Sequence, residues 1–141
     1  MTQVDFYLLQ DNEPEACSLL ACRLTEKAYK KGHRVYIHAE SGAQLRQLDE
    51  LLWSFRAGSF LPHAVVQDRP AEPQPILLGN DSEPQGMDDV LVNLASEVPP
   101  FFSRFKRVAE LVGGDEAARS AARERYRFYQ QRGYTLNTHK L

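Results

Sequence analysis

The chain has 141 residues, 43% of them hydrophobic, with 17 Lys and Arg against 19 Asp and Glu. That length predicts one domain over residues 1–141, large enough to bury about two-thirds of its unfolded surface, and the ordinary composition excludes wholesale disorder. No run of about 18 apolar residues exists to span a membrane, and the opening MTQVDFYLLQDNEPE lacks the charged start and long apolar stretch of a secretory signal, so a cytoplasmic location is expected.

VDFYLL (Val4–Leu9) mixes β-branched, aromatic and apolar residues and predicts a buried first strand. The loop QDNEPE follows, where Asp11 or Asn12 could cap a helix running from about Pro14 to Lys31. Cys17, Ala21, Leu24 and Ala28 mark one face of that helix, and Gly32 supplies a left-handed stop. RVYIHA (Arg34–Ala39) predicts a second strand. After Ser41 and Gly42, AQLRQLDELLWSF predicts a second helix with Leu45, Leu48, Leu51 and Leu52 in its stripe. This β-α-β-α order implies parallel strands joined by right-handed crossovers, and therefore an α/β fold.

Residues 54–75 contain Gly58, Pro62, Pro70, Pro73 and Pro75 and read as a long surface loop with one apolar patch at Phe60-Leu61-Pro62. PILLG (Pro75–Gly79) and DVLVNLA (Asp89–Ala95) predict a third and a fourth strand. PPFFSRF starts a short helix. RVAELV (Arg107–Val112) fits either a continuation of it or a fifth strand, and Gly113-Gly114 stops both. Asp115 caps a final helix reaching about Arg132, closed by Gly133, and the tail YTLNTHKL is extended.

A doubly wound sheet invites a dinucleotide-binding reading, which the residues refuse. The first β-to-α loop, Gln10 to Glu15, contains no glycine, and a phosphate-cradling turn needs one for close backbone approach. Cys17 and Cys22 do not make a disulfide framework, and the four histidines show no metal-ligand spacing, so neither a metal nor a cofactor is expected. His38 with Glu40 is the most enzyme-like pair, though a histidine at a strand end is more often packed than catalytic. The pair Asp88-Asp89 could hold a metal or simply open a strand.

Charge is unevenly spread. Residues 1–100 carry 8 basic and 15 acidic side chains, a net of −7, whereas residues 101–141 carry 9 basic and 4 acidic, a net of +5. The basic end suits a negatively charged partner. Within it, Arg119, Arg123 and Arg127 recur every fourth residue of the last helix, with Tyr126 beside them. Such a ridge is either a solvated face or a site for a carboxylate-bearing ligand with an apolar group. Trp53, Phe55, Phe60, Leu61 and Pro62 form a second concentration, either core or partner-facing.

QLDELLWSF followed by SFLPH, then DDVLVNLASEVPPFF, RFKRVAELV and ARERYRFYQQRGYTLNTH, together resemble the chi-subunit family of bacterial DNA polymerase III over almost the whole chain. The resemblance implies a Rossmann-like α/β fold with a mostly parallel sheet flanked by helices and no nucleotide-binding glycine loop. It implies that RVAELV is a strand and that the protein has no catalytic activity of its own. It also implies an adapter of the clamp loader with two partners. The acidic, phenylalanine-ending tail of single-stranded DNA-binding protein would meet Arg119, Arg123, Tyr126, Arg127, Val112 and Thr138. The psi subunit would meet Trp53, Phe60, Leu61, Pro62 and Phe55, a surface that a repair helicase could share. The competing reading is direct nucleic-acid binding by the arginine ridge, against which stand a net charge of −2 and a pI near 6.1.

Overall fold

A computed structural model describes residues 1–141. Seven strands make one sheet: β1 (Gln3–Leu8), β2 (Val35–His38), β3 (His63–Val65), β4 (Ile76–Gly79), β5 (Val90–Asn93), β6 (Arg107–Val112) and β7 (Thr135–Lys140). Their order is β3-β4-β2-β5-β6-β1-β7, and every pairing is parallel. Three helices, α1 (Ala16–Lys30), α2 (Gly42–Ser54) and α3 (Glu116–Gln131), flank it. This is the α/β, Rossmann-like arrangement expected from the sequence. None of the three helices is long and apolar enough to cross a membrane.

Strand periodicity divides the core in two. Val35, Ile37, Ile76, Leu78, Val92 and Leu111 point toward α1 and α2, joining Leu20, Ala21, Leu45, Leu48 and Leu52. The alternate residues Val4, Phe6, Tyr36, Leu91, Val108 and Val112 point the other way, toward Ala122 and Tyr129 of α3 and toward Phe102 and Phe105. Strands covered on both faces need apolar residues at successive positions, which is why VDFYLL and VYIH carry little alternation.

Several local signals act as expected. Asp115 accepts a hydrogen bond from Ala118 N at 2.8 Å and starts α3. Ser41 Oγ accepts from Gln44 N at 3.2 Å and starts α2. Gly32 and Gly133 adopt φ of +89° and +79°, the left-handed stop that side chains disfavour.

Other expectations need correction. Asp11 does not cap α1. Its carboxylate accepts from Glu13 N inside the preceding turn, and the helix begins at Ala16 with no side-chain cap. The stretch 54–75 is not all loop: His63–Val65 forms edge strand β3, followed by a 3-10 turn at Val66–Asp68. Three residues between Pro62 and Pro70 are too few to display a period. PPFFSRF yields only one 3-10 turn, Phe102–Arg104. RVAELV is the strand β6, and the tail is fully paired to β1, from Gln3↔Thr135 to Leu8↔Lys140.

One lateral row of the sheet matters below. Register sets His38, Asn93, Glu110, Phe6 and Thr138 side by side on the α3 face, from β2 across to β7. Glu110 is fully buried, and α3 crosses directly over it. The carboxylate accepts from Arg125 Nε at 2.8 Å, Tyr129 Oη at 2.7 Å and Asn93 Nδ2 at 3.0 Å. Burial pushes its pKa up, against the pull of the Arg125 charge. Burial, and then the Glu110 carboxylate, hold the Tyr129 hydroxyl far above its ordinary value, so it remains a donor. A buried pair of this kind orients α3 more than it stabilises, but removing one partner alone costs about 3–5 kcal/mol.

Candidate functional site

β1, β6 and β7 end beneath α3 at a cavity of about 200 Å³. Phe6, Leu8 and Val112 make an apolar floor, Thr138 closes the edge-strand side, and Arg119, Ala122, Arg123 and Tyr126 come down from the helix. The volume matches one large side chain rather than an extended ligand. Phe6 and Tyr126 lie tilted at 5.4 Å between ring centroids, so the floor already contains aromatic surface.

Two guanidiniums stand at the rim. Arg123 is 56% exposed and bonds Glu116 Oε1 at 2.7 Å, an exposed contact that a stronger carboxylate partner could replace. Arg119 reaches back to the Leu9 carbonyl at 3.4 Å. An apolar well with cationic groups at its mouth suits a ring whose chain carries a carboxylate.

Five of the six residues expected for this site, Arg119, Arg123, Tyr126, Val112 and Thr138, therefore line one cavity. Arg127 does not. It pairs with Glu124 on the solvent side of α3. Helical geometry explains the difference: a step of four residues drifts about 40°, so Arg127 stands about 80° around the helix from Arg119. The face that lines the cavity follows i, i+3, i+4, i+7, that is Arg119, Ala122, Arg123 and Tyr126, beside the Ala122, Arg125 and Tyr129 face that is buried on the sheet. Phe6, Leu8 and Ala122 were not foreseen. The alternation of Val4, Phe6 and Leu8 in the first strand, and the position of Ala122 one turn from both Arg119 and Tyr126, were the available signals.

A second feature lies at the opposite edge of the sheet. Trp53 and Phe60 are 51% and 70% exposed, and no other large apolar side chain away from the chain ends is so exposed. Their rings sit 5.6 Å apart, and Trp53 covers the imidazole of His63 at 4.3 Å. His63 Nδ1 donates to the Leu61 carbonyl at 2.7 Å, which fastens the connection under the pair. Glu26 of α1 ties down the same connection through Ser59 Oγ at 2.7 Å and Arg56 at 3.0 Å. The Ser59 hydroxyl first, then the Arg56 and Lys30 charges, hold the Glu26 carboxyl below its usual range against the opposing effect of burial.

Leu61, expected on this surface, is instead core, 1% exposed. It faces inward because β3 begins two residues later and α2 needs a cover. Phe55 and Pro62 are half-buried, with Phe55 packed against the α1–α2 core. Only Trp53 and Phe60 are positioned to meet a partner fully.

The remaining candidates carry no catalytic constellation. Glu40 turns away from His38 and accepts from Ser96 N at 2.6 Å. His38 bonds Asn93 instead, at 3.1 Å. Asp89 accepts from Arg34 N and lies 3.1 Å from His33 Nδ1. No three His, Cys, Asp or Glu side chains gather closely enough to hold a metal ion. Both cysteines are free, and burial pushes the Cys22 thiol up to about 12, which leaves it unreactive.

The family model described as "DNA polymerase III chi subunit, HolC" matches residues 1–137. The chain belongs to the DNA polymerase III chi-subunit family. Among curated chi-family relatives, DNA polymerase III subunit chi of Pseudomonas aeruginosa is 45% identical over 141 residues, covering 100% of this chain and 98% of the relative. The subunits of Haemophilus influenzae and Escherichia coli are 32% and 30% identical, covering 96% and 98% of this chain and 95% and 97% of their own lengths. Among solved structures, that of T4 UvsW superposes with a TM-score of 0.68 at 6% identity, over 99% of this chain and 41% of the other. That similarity concerns the chi fold alone, since the chain spans about two-fifths of UvsW. As a chi subunit, the protein is an accessory component of replicative DNA polymerase.

Proposed function

We propose that this chi-family protein is a non-catalytic adapter with two recognition surfaces. The cavity beneath α3 takes the acidic, phenylalanine-ending tail of single-stranded DNA-binding protein. The Trp53–Phe60 patch takes the psi subunit and thereby the clamp loader. The observation that carries the first half is the apolar well of about 200 Å³ with Arg119 and Arg123 at its mouth. The terminal phenylalanine ring fills the well, its carboxylate replaces Glu116 on Arg123, and Arg119 faces the preceding aspartates. Arg127 adds only distant charge.

Hydrogen bonds from a guanidinium to a carboxylate contribute about 1.5–3 kcal/mol when partly desolvated. A short tail also loses conformational freedom, so net affinity is on the order of micromolar. The attraction is between exposed charges and weakens with salt. Because single-stranded DNA-binding protein presents several tails, tethering multiplies the effect.

Calorimetric titration with an acidic peptide ending in Ile-Pro-Phe tests the reading, against a control lacking the final Phe. Micromolar binding that disappears in the control is expected. Equal binding of both peptides would sink it, and so would tight binding of naked single-stranded DNA at moderate salt.

A further inference from the structure

At the carboxyl ends of β2, β4 and β5 lies a cavity of about 720 Å³, more than three times the volume of the one beneath α3. Its position follows from topology. β2 and β5 are neighbours, yet the chain leaves β2 toward α2 on one face and leaves β5 toward Phe102 and Phe105 on the other. Diverging connections open a crevice where α/β sheets commonly take ligands.

The lining is chemically one-sided. Glu40, Asp81, Glu83 and Glu97 surround the crevice, and no Lys or Arg side chain lines it. Glu40 is engaged by Ser96, and Glu83 by Arg104. The carboxylates of Asp81 and Glu97 bond no protein group. Phe101 stands edge-on to His38, ring centroids 5.5 Å apart, and with Val98 and Pro99 makes an apolar wall.

His38 supplies an independent observation. It is only 8% exposed, it lines the crevice, and its Nε2 bonds no protein group. Its tautomer follows from its neighbour. Asn93 Nδ2 donates to the Glu97 carbonyl at 3.2 Å and to Glu110, whereas Asn93 Oδ1 accepts from Ala95 N at 3.1 Å. That fixes the amide, so the atom facing His38 Nδ1 is an acceptor. Nδ1 must carry the hydrogen, and in the neutral ring Nε2 is left as a lone pair with no protein donor, on a side chain that lines the crevice.

We propose that this crevice binds a cationic N–H donor, a guanidinium or primary ammonium group. One N–H bonds His38 Nε2, the charge pairs with Asp81 and Glu97, and the aliphatic stem lies against Phe101. The group could belong to a free amine or to an Arg or Lys side chain of another protein. The site is separate from both surfaces assigned above and does not depend on their roles.

Nitrogen-detected NMR of the whole protein at about pH 8 would test the tautomer first, where a neutral ring protonated on Nδ1 is expected. Titration with agmatine and spermidine, and separately with acetylated Lys- and Arg-containing tripeptides, would then follow the His38 Nε2 resonance. Saturable shifts at ligand concentrations on the order of millimolar are expected, with citrulline-containing peptides inert. Preference for the tripeptides identifies a protein side chain as the source, and preference for the free amines a small molecule. The double variant Asp81→Asn, Glu97→Gln changes only exposed side chains and should weaken binding at least about tenfold. An Nε2–H tautomer, absence of saturable shifts, or unchanged binding by the double variant would each overturn the proposal.

Discussion

The cavity beneath α3 keeps its apolar groups inside and its charges at the rim, whereas Trp53 and Phe60 carry their apolar surface outward, 51% and 70% exposed. A concave, charged site can read the end of a flexible chain, because it rewards a ring and a carboxylate held at one spacing. A convex aromatic pair reads nothing by itself. Its partner must bring the matching hollow, and the gain comes from buried area at about 25 cal/mol per Å². Each site leans on one buried polar anchor, Glu110 under α3 and His63 under Trp53. The first site should be sensitive to salt and the second nearly indifferent to it.

The most damaging change would be Glu110→Ala, which leaves Arg125 buried without its carboxylate and should cost about 3–5 kcal/mol in denaturant unfolding. An effect near zero would mean that α3 is held by apolar packing alone. Next, Trp53→Ala should weaken the proposed psi contact about 30-fold, a loss near 2 kcal/mol, and spare the tail peptide. Joint loss of both activities would make Trp53 a folding residue and erase the contrast between the two surfaces. Arg123→Ala should weaken tail-peptide binding about tenfold, while Arg127→Ala should change it less than about twofold, since only the former lines the cavity. Equal losses in calorimetry would mean that net charge, not the pocket, attracts the tail.

The smallest effect concerns the far face of the strand that carries Thr138. Burial pushes the Asp5 carboxyl up, but hydrogen bonds from His139 and Arg107 outweigh it and leave it below its ordinary value of 3.8. A depressed folded-state pKa adds stability above the ordinary value, which is lost as pH falls through the folded one. Asp5→Asn should therefore narrow the difference in melting temperature between about pH 6 and pH 3 by roughly 2 °C or less.

Much of this was legible in the sequence where one residue type does one local job. Asp115, Ser41, Gly32 and Gly133 marked helix ends because caps and left-handed stops are short-range chemistry. Arg119, Arg123 and Tyr126 pointed to the α3 site for a similar reason, since neighbours on a helix are set by spacing. Arg127 misled because a four-residue repeat follows a ridge that rotates away from the sheet. Leu61 misled because aromatic and apolar neighbours in a Pro-bounded stretch look alike whether the chain turns inward or outward. Phe6 and Leu8 were recognised as core but not as pocket floor, because that role depends on β6 and β7 arriving on either side. The link from His38 to Asn93 was equally hidden, since register across β2 and β5 brings together residues 55 positions apart.

The pairing of β1 with the end of the chain also bears on biosynthesis. Phe6 lies opposite Thr138, so the pocket draws part of its floor from one strand and its wall from another made about 130 residues later. At about 5–20 residues per second, β1 waits roughly 7–26 s on the ribosome before its partner strand exists. Throughout that interval Val4, Phe6 and Leu8 lack β7 on one side, even after β6 has been made, and a chain stalled after residue 134 should fail to capture the tail peptide. The protein can take up its proposed cargo only once β7 has emerged and paired with β1.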